Sequence, residues 1–220
     1  MIKLRSGRNE VALHTLSERA GPKLLALHAL QGSAQDFATV AATWPGAVYA
    51  LDFSGHGRSD WLAGRAYSAE RWAADADAAL NHLGEARLFG RGVGATAALL
   101  LAGARPDKVP AACLAPGAGL HACGEHPDVN RVVEDRAFLK ECLEVSSRGD
   151  GSGPDPFVIE TESHHRPRRY GLGFAECART VLLAEDGSDR PAWWDAIRGC
   201  ANVETAPADE SAALAFLAQH

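Results

Sequence analysis

The feature that most constrains the fold is a repeated alternation of short apolar runs with helical patterns along the chain. The apolar runs, each bounded by turn residues, read as strands and occupy 11–17, 23–30, 47–53, 88–89, 109–114, 180–184 and 202–205. The helical patterns occupy 36–44, 68–83, 93–104, 191–198 and 209–219. Repeated strand–helix units form a parallel sheet whose two faces are covered by helices. We therefore predict an α/β fold with a mostly parallel central sheet.

Length and charge set limits on what this fold can do. The 220 residues suffice for one sizeable core. The formal charge of −6 leaves no basic footprint of the kind that binds nucleic acid. Apolar stretches such as 95–102 are too short to span a bilayer, and residues 1–10 contain no apolar signal core. We expect a soluble, cytoplasmic protein with neither nucleic acid nor membrane as a partner, and the oligomeric state is open.

The cysteines and one histidine cluster are candidates for disulfide or metal sites. The five cysteines are odd in number and widely spaced, which argues against a disulfide framework, and we expect mostly small buried apolar residues. His121, Cys123 and His126 form a short motif of zinc-ligating residue types, but a structural zinc site needs a fourth ligand and none is obvious nearby. No metal and no cofactor are therefore expected.

One stretch interrupts the alternation and divides the chain. Residues 119–177 contain a helical pattern at 130–145 and a loop rich in Gly, Ser and Pro at 146–156. We predict a core formed by 1–118 and 178–220, with 119–177 as a cap inserted over the carboxyl end of the sheet. Ligands of open α/β sheets bind at that end.

Three segments are more specific than this architecture. Residues 24–33 read LLALHALQGS, residues 51–61 read LDFSGHGRSDW, and residues 88–102 read LFGRGVGATAALLLA. In this order they resemble the α/β-hydrolase superfamily: a strand ending in His-Gly-x-x-Gly-Ser, an Asp-x-x-Gly-His-Gly-x-Ser turn, and the strand–elbow–helix that carries Gly-x-Ser-x-Gly. The resemblance covers nearly the whole chain except 119–177, and it implies the α/β-hydrolase fold.

The resemblance places the nucleophile of such enzymes on a strained turn between strand and helix, at Gly92. Gly90 and Gly94 match the flanking glycines of the elbow. In the family, a histidine takes the proton of the nucleophile and an acid orients that histidine. Glycine has no side chain, so position 92 cannot form an acyl-enzyme.

The resemblance also locates the acid and the base. The acid position falls on Asp189, with Asp186 as a second candidate, and turn residues without a catalytic role are the other interpretation. The base would follow the last strand, but no histidine stands between 202 and the final helix. His220 lies about 16 Å further along that helix from Asp209, at 1.5 Å per residue. Two of the three catalytic positions are thus empty.

The backbone donors of an oxyanion hole need no particular side chain. The resemblance assigns them to Val93, at a helix N-terminus, and to Ala29 or Leu30. With no side chain at Gly92, we expect room beside these donors for a carboxylate, a phosphate, a polarised carbonyl or water. His28 matches a family position that is usually structural, and so does His56.

Three functions remain open from the sequence. The first is a non-hydrolytic protein that binds a small ligand, in a pocket over Gly92, or a protein partner. The second is an atypical hydrolase or lyase that activates water through His121, His28 or an acid. The third is a structural subunit paired with an active homologue.

Overall fold

The computed structural model describes residues 1–64, 66–120, 154–155, 158, 169–185 and 191–220. Within these residues, eight strands form one sheet: β1 (Ile2–Ser6), β2 (Asn9–Glu18), β3 (Leu24–Leu27), β4 (Ala47–Asp52), β5 (Arg87–Arg91), β6 (Ala112–Ala115), β7 (Val181–Ala184) and β8 (Val203–Ala206). Their order across the sheet is β1-β2-β4-β3-β5-β6-β7-β8. Pairing is antiparallel for β1–β2 and β2–β4 and parallel for all the others. The predicted mostly parallel α/β sheet is confirmed.

Helices follow most of the parallel strands. They are α1 (Ala38–Thr43), preceded by a 3₁₀ turn (Ala34–Phe37), α2 (Ala69–Leu83), α3 (Val93–Ala104), α4 (Leu172–Cys177), α5 (Ala192–Ile197) and α6 (Glu210–Leu217). Ser68 caps α2 as predicted, since its side chain accepts the Arg71 N–H. No helix in the described part of the chain combines the length and apolarity required to cross a membrane.

The strands are apolar throughout because both faces of the sheet are covered. Neighbouring residues of β5 show this: Leu88 packs into the core on one face, and Phe89 packs into the core on the other. The first core contains Trp72 of α2 and both tryptophans of α5, and the second contains Trp44 after α1. Packing on both faces of the sheet thereby fixes the positions of the carboxyl ends of the parallel strands.

Two elements have no counterpart among the sequence predictions. The polar N-terminus forms β1, which pairs antiparallel with β2 at the sheet edge and is largely exposed, so it lacks the apolar pattern of the central strands. Helix α4 lies inside 119–177 yet packs on α3, where a Cβ on Gly103 would lie 2.6 Å from the Phe174 Cα. The helix predicted over 130–145 and most of the loop at 146–156 lie outside the described residues.

Candidate functional site

The strained elbow that the resemblance implies is present between β5 and α3. Gly92 has φ 57° and ψ −126°, a conformation that residues with a Cβ rarely adopt. A Cβ on Gly90 would lie 2.5 Å from the Gly94 carbonyl carbon, and a Cβ on Gly94 would lie 2.6 Å from the carbonyl oxygen of His28. The close crossing of strand, elbow and helix therefore requires glycine at three positions.

Two backbone donors converge beside this elbow. The N–H of Val93, in the first turn of α3, donates to the carbonyl oxygen of Ala118 at 3.0 Å. The N–H of Leu30, in the loop after β3, donates to the same oxygen at 3.1 Å. Of the two residues considered for the second donor, Leu30 points its N–H at the shared oxygen. Ala29 turns its carbonyl to accept the Gly32 N–H.

The space over Gly92 is filled by the chain itself. A Cβ built on Gly92 would overlap the carbonyl oxygen of Ala118 and would lie 2.8 Å from the carbonyl carbon of Gly117. The Gly92 N–H donates to the Ala115 carbonyl at 3.1 Å, which holds the start of this covering segment at the end of β6. The room expected beside the donors is thus occupied, and a ligand over Gly92 remains a prediction that requires this segment to move.

The two histidines of the family motifs hold loops by hydrogen bonds. His28 Nε2 accepts the Phe53 N–H at 3.1 Å, and its Nδ1 donates to the carbonyl of the next residue at 2.7 Å. His56 Nε2 accepts the Gln31 N–H at 3.2 Å, and its Nδ1 donates to the Ser54 carbonyl at 3.3 Å. Burial lowers the pKa of both rings, that of His56 strongly. With both nitrogens engaged, His28 is not placed to act as a base.

Asp52, the first residue of the second motif, anchors the turn that follows it. Its carboxylate accepts the N–H groups of Ala34 at 2.7 Å and Arg58 at 2.9 Å, and it contacts His14 Nε2 at 2.8 Å. The turn brings Gly57, at φ +50°, close to the Asp52 carboxylate, and a Cβ on Gly57 would lie 2.6 Å from one of its oxygens. Asp52 therefore fixes the loops that carry the site, and its pairing with His14 has no local sequence signal.

The resemblance expects the base in the connection between β8 and α6. Strand β8 ends at Ala206, and Asp209 already caps α6 by accepting the Ala212 N–H at 2.9 Å. The short connection contains no histidine. His220 lies beyond the other end of α6, with its ring 5.0 Å from that of Phe216. The acid candidates Asp189 and Asp186 lie outside the described residues.

An ion pair fastens the elbow to the start of α6. Arg91 Nε donates to Glu210 Oε2 at 2.8 Å, and Nη2 donates to Oε1 at 2.6 Å. The guanidinium carbon lies 4.7 Å from the centre of the Phe37 ring. Beside the pair is a cavity of about 190 Å³ whose walls include Ala184 and Ala208. Sequence reasoning missed this pair because its partners are 119 positions apart.

The structure describes three of the five cysteines and none of the residues of the predicted histidine–cysteine motif. Within the described residues, no three His, Cys, Asp or Glu side chains are grouped as metal ligands, and the motif at His121 lies outside them. Cys113 is buried as expected, which raises the pKa of its thiol to about 12. Cys177 is exposed and Cys200 is half-buried, contrary to the expectation of burial, because both lie at or beyond helix ends near the surface.

Comparison with known proteins agrees with this geometry. The family model described as serine aminopeptidase, S33, matches residues 23–141, more than half of the chain. A search of curated protein sequences gives no significant match.

Solved structures share the fold at low identity. A hypothetical protein from Pseudomonas aeruginosa PAO1 is 19% identical with a TM-score of 0.69, over 99% of this chain and 96% of that one. The bottromycin epimerase BotH, in complex with bottromycin A2, is 19% identical with a TM-score of 0.66, over 99% and 95%. A thioesterase domain from the curacin biosynthetic pathway is 22% identical with a TM-score of 0.65, over 100% and 98%.

Proposed function

The chain belongs to the serine aminopeptidase S33 family of α/β-hydrolases, and we propose that it is a non-hydrolytic member that binds a small ligand or a protein partner. The observation that carries the proposal is the Ala118 carbonyl, which lies where a side chain on Gly92 would have to stand. An acyl-enzyme needs a nucleophilic side chain at that point and a base within reach of it. The elbow supplies no nucleophile, and the β8–α6 connection supplies no histidine.

The backbone donors beside the elbow are suited to binding a ligand. The N–H groups of Leu30 and Val93 are aimed at one oxygen atom, and such a pair favours a carbonyl or carboxylate oxygen. The buried histidines and Asp52 keep the loop of Leu30 in place by backbone hydrogen bonds. Binding of an oxygen atom by these N–H groups therefore requires neither a nucleophilic side chain nor a histidine base.

Ester hydrolysis tests the proposal directly. Purified protein is incubated with p-nitrophenyl acetate and, separately, with a fluorophosphonate probe, alongside the Gly92→Ser variant. We expect neither turnover nor labelling for either protein, because no histidine is placed to take the proton of a serine at 92. Turnover by the wild type on the order of 10 per second, an ordinary enzyme rate, would contradict the proposal. Rapid labelling of Gly92→Ser alone would reveal a base that the described residues do not contain.

An atypical lyase or hydrolase is the second candidate, and the intact donor pair favours it. The same fold serves an epimerase in one structural neighbour, so it is compatible with chemistry other than acyl transfer. A base would have to come from elsewhere than His28 and His56, whose ring nitrogens are engaged. Loss of activity on an identified substrate in a His121→Gln variant, with binding retained, would favour this candidate over simple binding. A partner that co-purifies with the protein would instead favour the structural-subunit hypothesis.

A further inference from the structure

We propose that the carbonyl of Ala118 is a built-in occupant of the donor pair, and that a ligand enters by displacing it with its own carbonyl or carboxylate oxygen. The inference rests on the proposed binding function, because it names the chemistry of the ligand and the step that admits it. Both donors are satisfied at 3.0 and 3.1 Å by one peptide oxygen, so a peptide group of the chain takes the place of a ligand's acyl group.

The peptide is held at its ends and exposed between them. Before it, the Ala115 carbonyl accepts the Gly92 N–H. After it, Leu120 is buried, and its carbonyl accepts the Trp193 Nε1–H at 3.1 Å. Gly117 and Ala118 themselves are exposed. Among the described residues, rotation of this peptide away from the donors breaks the two hydrogen bonds from Leu30 and Val93, and an incoming oxygen would replace both.

Glycine provides the freedom for that rotation. A flip of the peptide between Ala118 and Gly119 changes ψ of the first residue and φ of the second. Gly119 has φ +79°, and glycine populates both signs of φ with similar ease. A Cβ on Gly119 would lie 3.0 Å from the Val93 Cβ and 3.1 Å from the Leu30 Cβ, so the closed arrangement also needs the missing side chain. The closed state thus depends on glycine at this position, whereas the open state, with φ of residue 119 negative, does not.

Hydrogen exchange of single amides, followed by NMR without any ligand, tests the inference. Leu30 and Val93 report on the donor pair, and Leu25 and Phe89, inside the sheet, report on global unfolding. We expect Leu30 and Val93 to exchange at least tenfold faster than the sheet amides, at a rate that low urea leaves unchanged, as local opening requires. Exchange of all four amides at one urea-dependent rate would overturn the proposal, since the contact would then be a permanent part of the fold.

Two variants sharpen the test. Gly119→Ala strains the closed state relative to both the open and the unfolded state. Exchange of Leu30 and Val93 should therefore accelerate about tenfold and stay independent of low urea, while Leu25 and Phe89, which exchange through global unfolding, accelerate by no more than that factor and stay slower. Gly173→Ala is the matched control, because Gly173 has open space around it and lies in α4. This variant should leave the exchange rates of Leu30 and Val93 unchanged. Exchange of Leu30 and Val93 in Gly119→Ala at the same urea-dependent rate as Leu25 and Phe89 would contradict the proposal. If that variant does not fold, the urea series on the wild type decides alone.

A ligand experiment separates this inference from the proposed function. Phenylacetate, a small carboxylate, is titrated into the wild type and into Gly119→Ala. Displacement predicts tighter binding by the variant, because less of it is held closed by Ala118. Local opening without phenylacetate binding would support the moving peptide and count against the carboxylate as its replacement. Equal affinity for both proteins would overturn displacement as the entry step.

Discussion

At the scale of single residues, the site is defined by what glycine permits. Position 92 combines a positive φ with a neighbouring carbonyl that leaves no room for a Cβ. In a working hydrolase the strain of the elbow is tolerated because the side chain has a chemical role, whereas Gly92 has no side chain. The same residue therefore relieves strain and admits the Ala118 peptide into the site.

Stability measurements on Gly92 follow from this geometry. Gly92→Ala and Gly92→Ser should each lower the free energy of unfolding by at least about 1 kcal/mol, since a residue with a Cβ in such a conformation costs roughly 1–3 kcal/mol. Urea unfolding measures the change, and Gly199→Ala, at a site with open space, is the control. If Gly92→Ala instead gained about 0.4–1 kcal/mol through the entropy of the unfolded chain, the elbow would have to have relaxed.

At the scale of elements, the Arg91–Glu210 pair ties the elbow to α6. The pair has bidentate geometry, and the Arg91 side chain is 22% exposed, which places it between surface and buried ion pairs. The partner, Glu210, is the first residue of α6, directly after the connection that lacks a histidine. The pair thereby fixes the short path from β8 to α6.

A double-mutant cycle with Arg91→Gln and Glu210→Gln should give a coupling energy of about 0.5–1 kcal/mol, because Glu210 is partly exposed and water screens the pair. The Arg105–Asp77 pair, with its more exposed arginine, is the matched control and should couple more weakly. Raising the ionic strength should reduce both couplings. A coupling indistinguishable from zero in low salt would mean that α6 is held by its apolar face alone.

The elements that sequence reasoning predicted correctly are those with strong local signals. Helix α3 spans Val93–Ala104 as predicted, and Ser68 caps α2 as predicted. Both predictions depend on residues that are close together in the sequence. The Ala118 carbonyl in the donor pair and the Arg91–Glu210 bridge have no such signal, since each joins distant parts of the chain. The resemblance located the elbow, whereas only the structure showed what fills it.

At the scale of the whole molecule, two cores share one sheet, and the loops at its carboxyl edge are joined by buried polar groups. His28 and His56 form much of this contact between loops. Their ring centres are 4.7 Å apart, and each ring accepts a backbone N–H from a neighbouring loop. Both act as Nε2 acceptors and therefore must be neutral. Protonation of either ring would remove an acceptor and bury a charge.

The protein should consequently lose stability in mild acid. Burial lowers the pKa of both rings below the ordinary value of 6.5, so below that pH the unfolded chain binds protons that the folded chain does not. The contribution is complete above about pH 6.5 and declines as the pH falls toward the folded-state pKa values. Urea unfolding at pH 7.5, 6.5 and 5.5 should show this decline.

Two histidine variants test the assignment. His56→Asn should flatten the decline between pH 6.5 and 5.5, whereas His82→Gln, which changes an exposed histidine of α2, should keep the wild-type slope. A decline of equal steepness in all three proteins would mean that other groups cause the acid sensitivity.

The Ala118 carbonyl also determines how the chain responds to successive substitutions. A serine at 92 would meet that carbonyl before it met any substrate, and a histidine would still have to be added to the short β8–α6 connection, beside the residue that pairs with Arg91. A serine–histidine pair would thus require changes in separate segments of the chain, at the elbow, in the segment that covers it and in the β8–α6 connection. Under the proposed binding function, no single one of these changes would therefore create hydrolysis, whereas a substitution of Ala118, whose side chain is exposed, alters the covering peptide in one step.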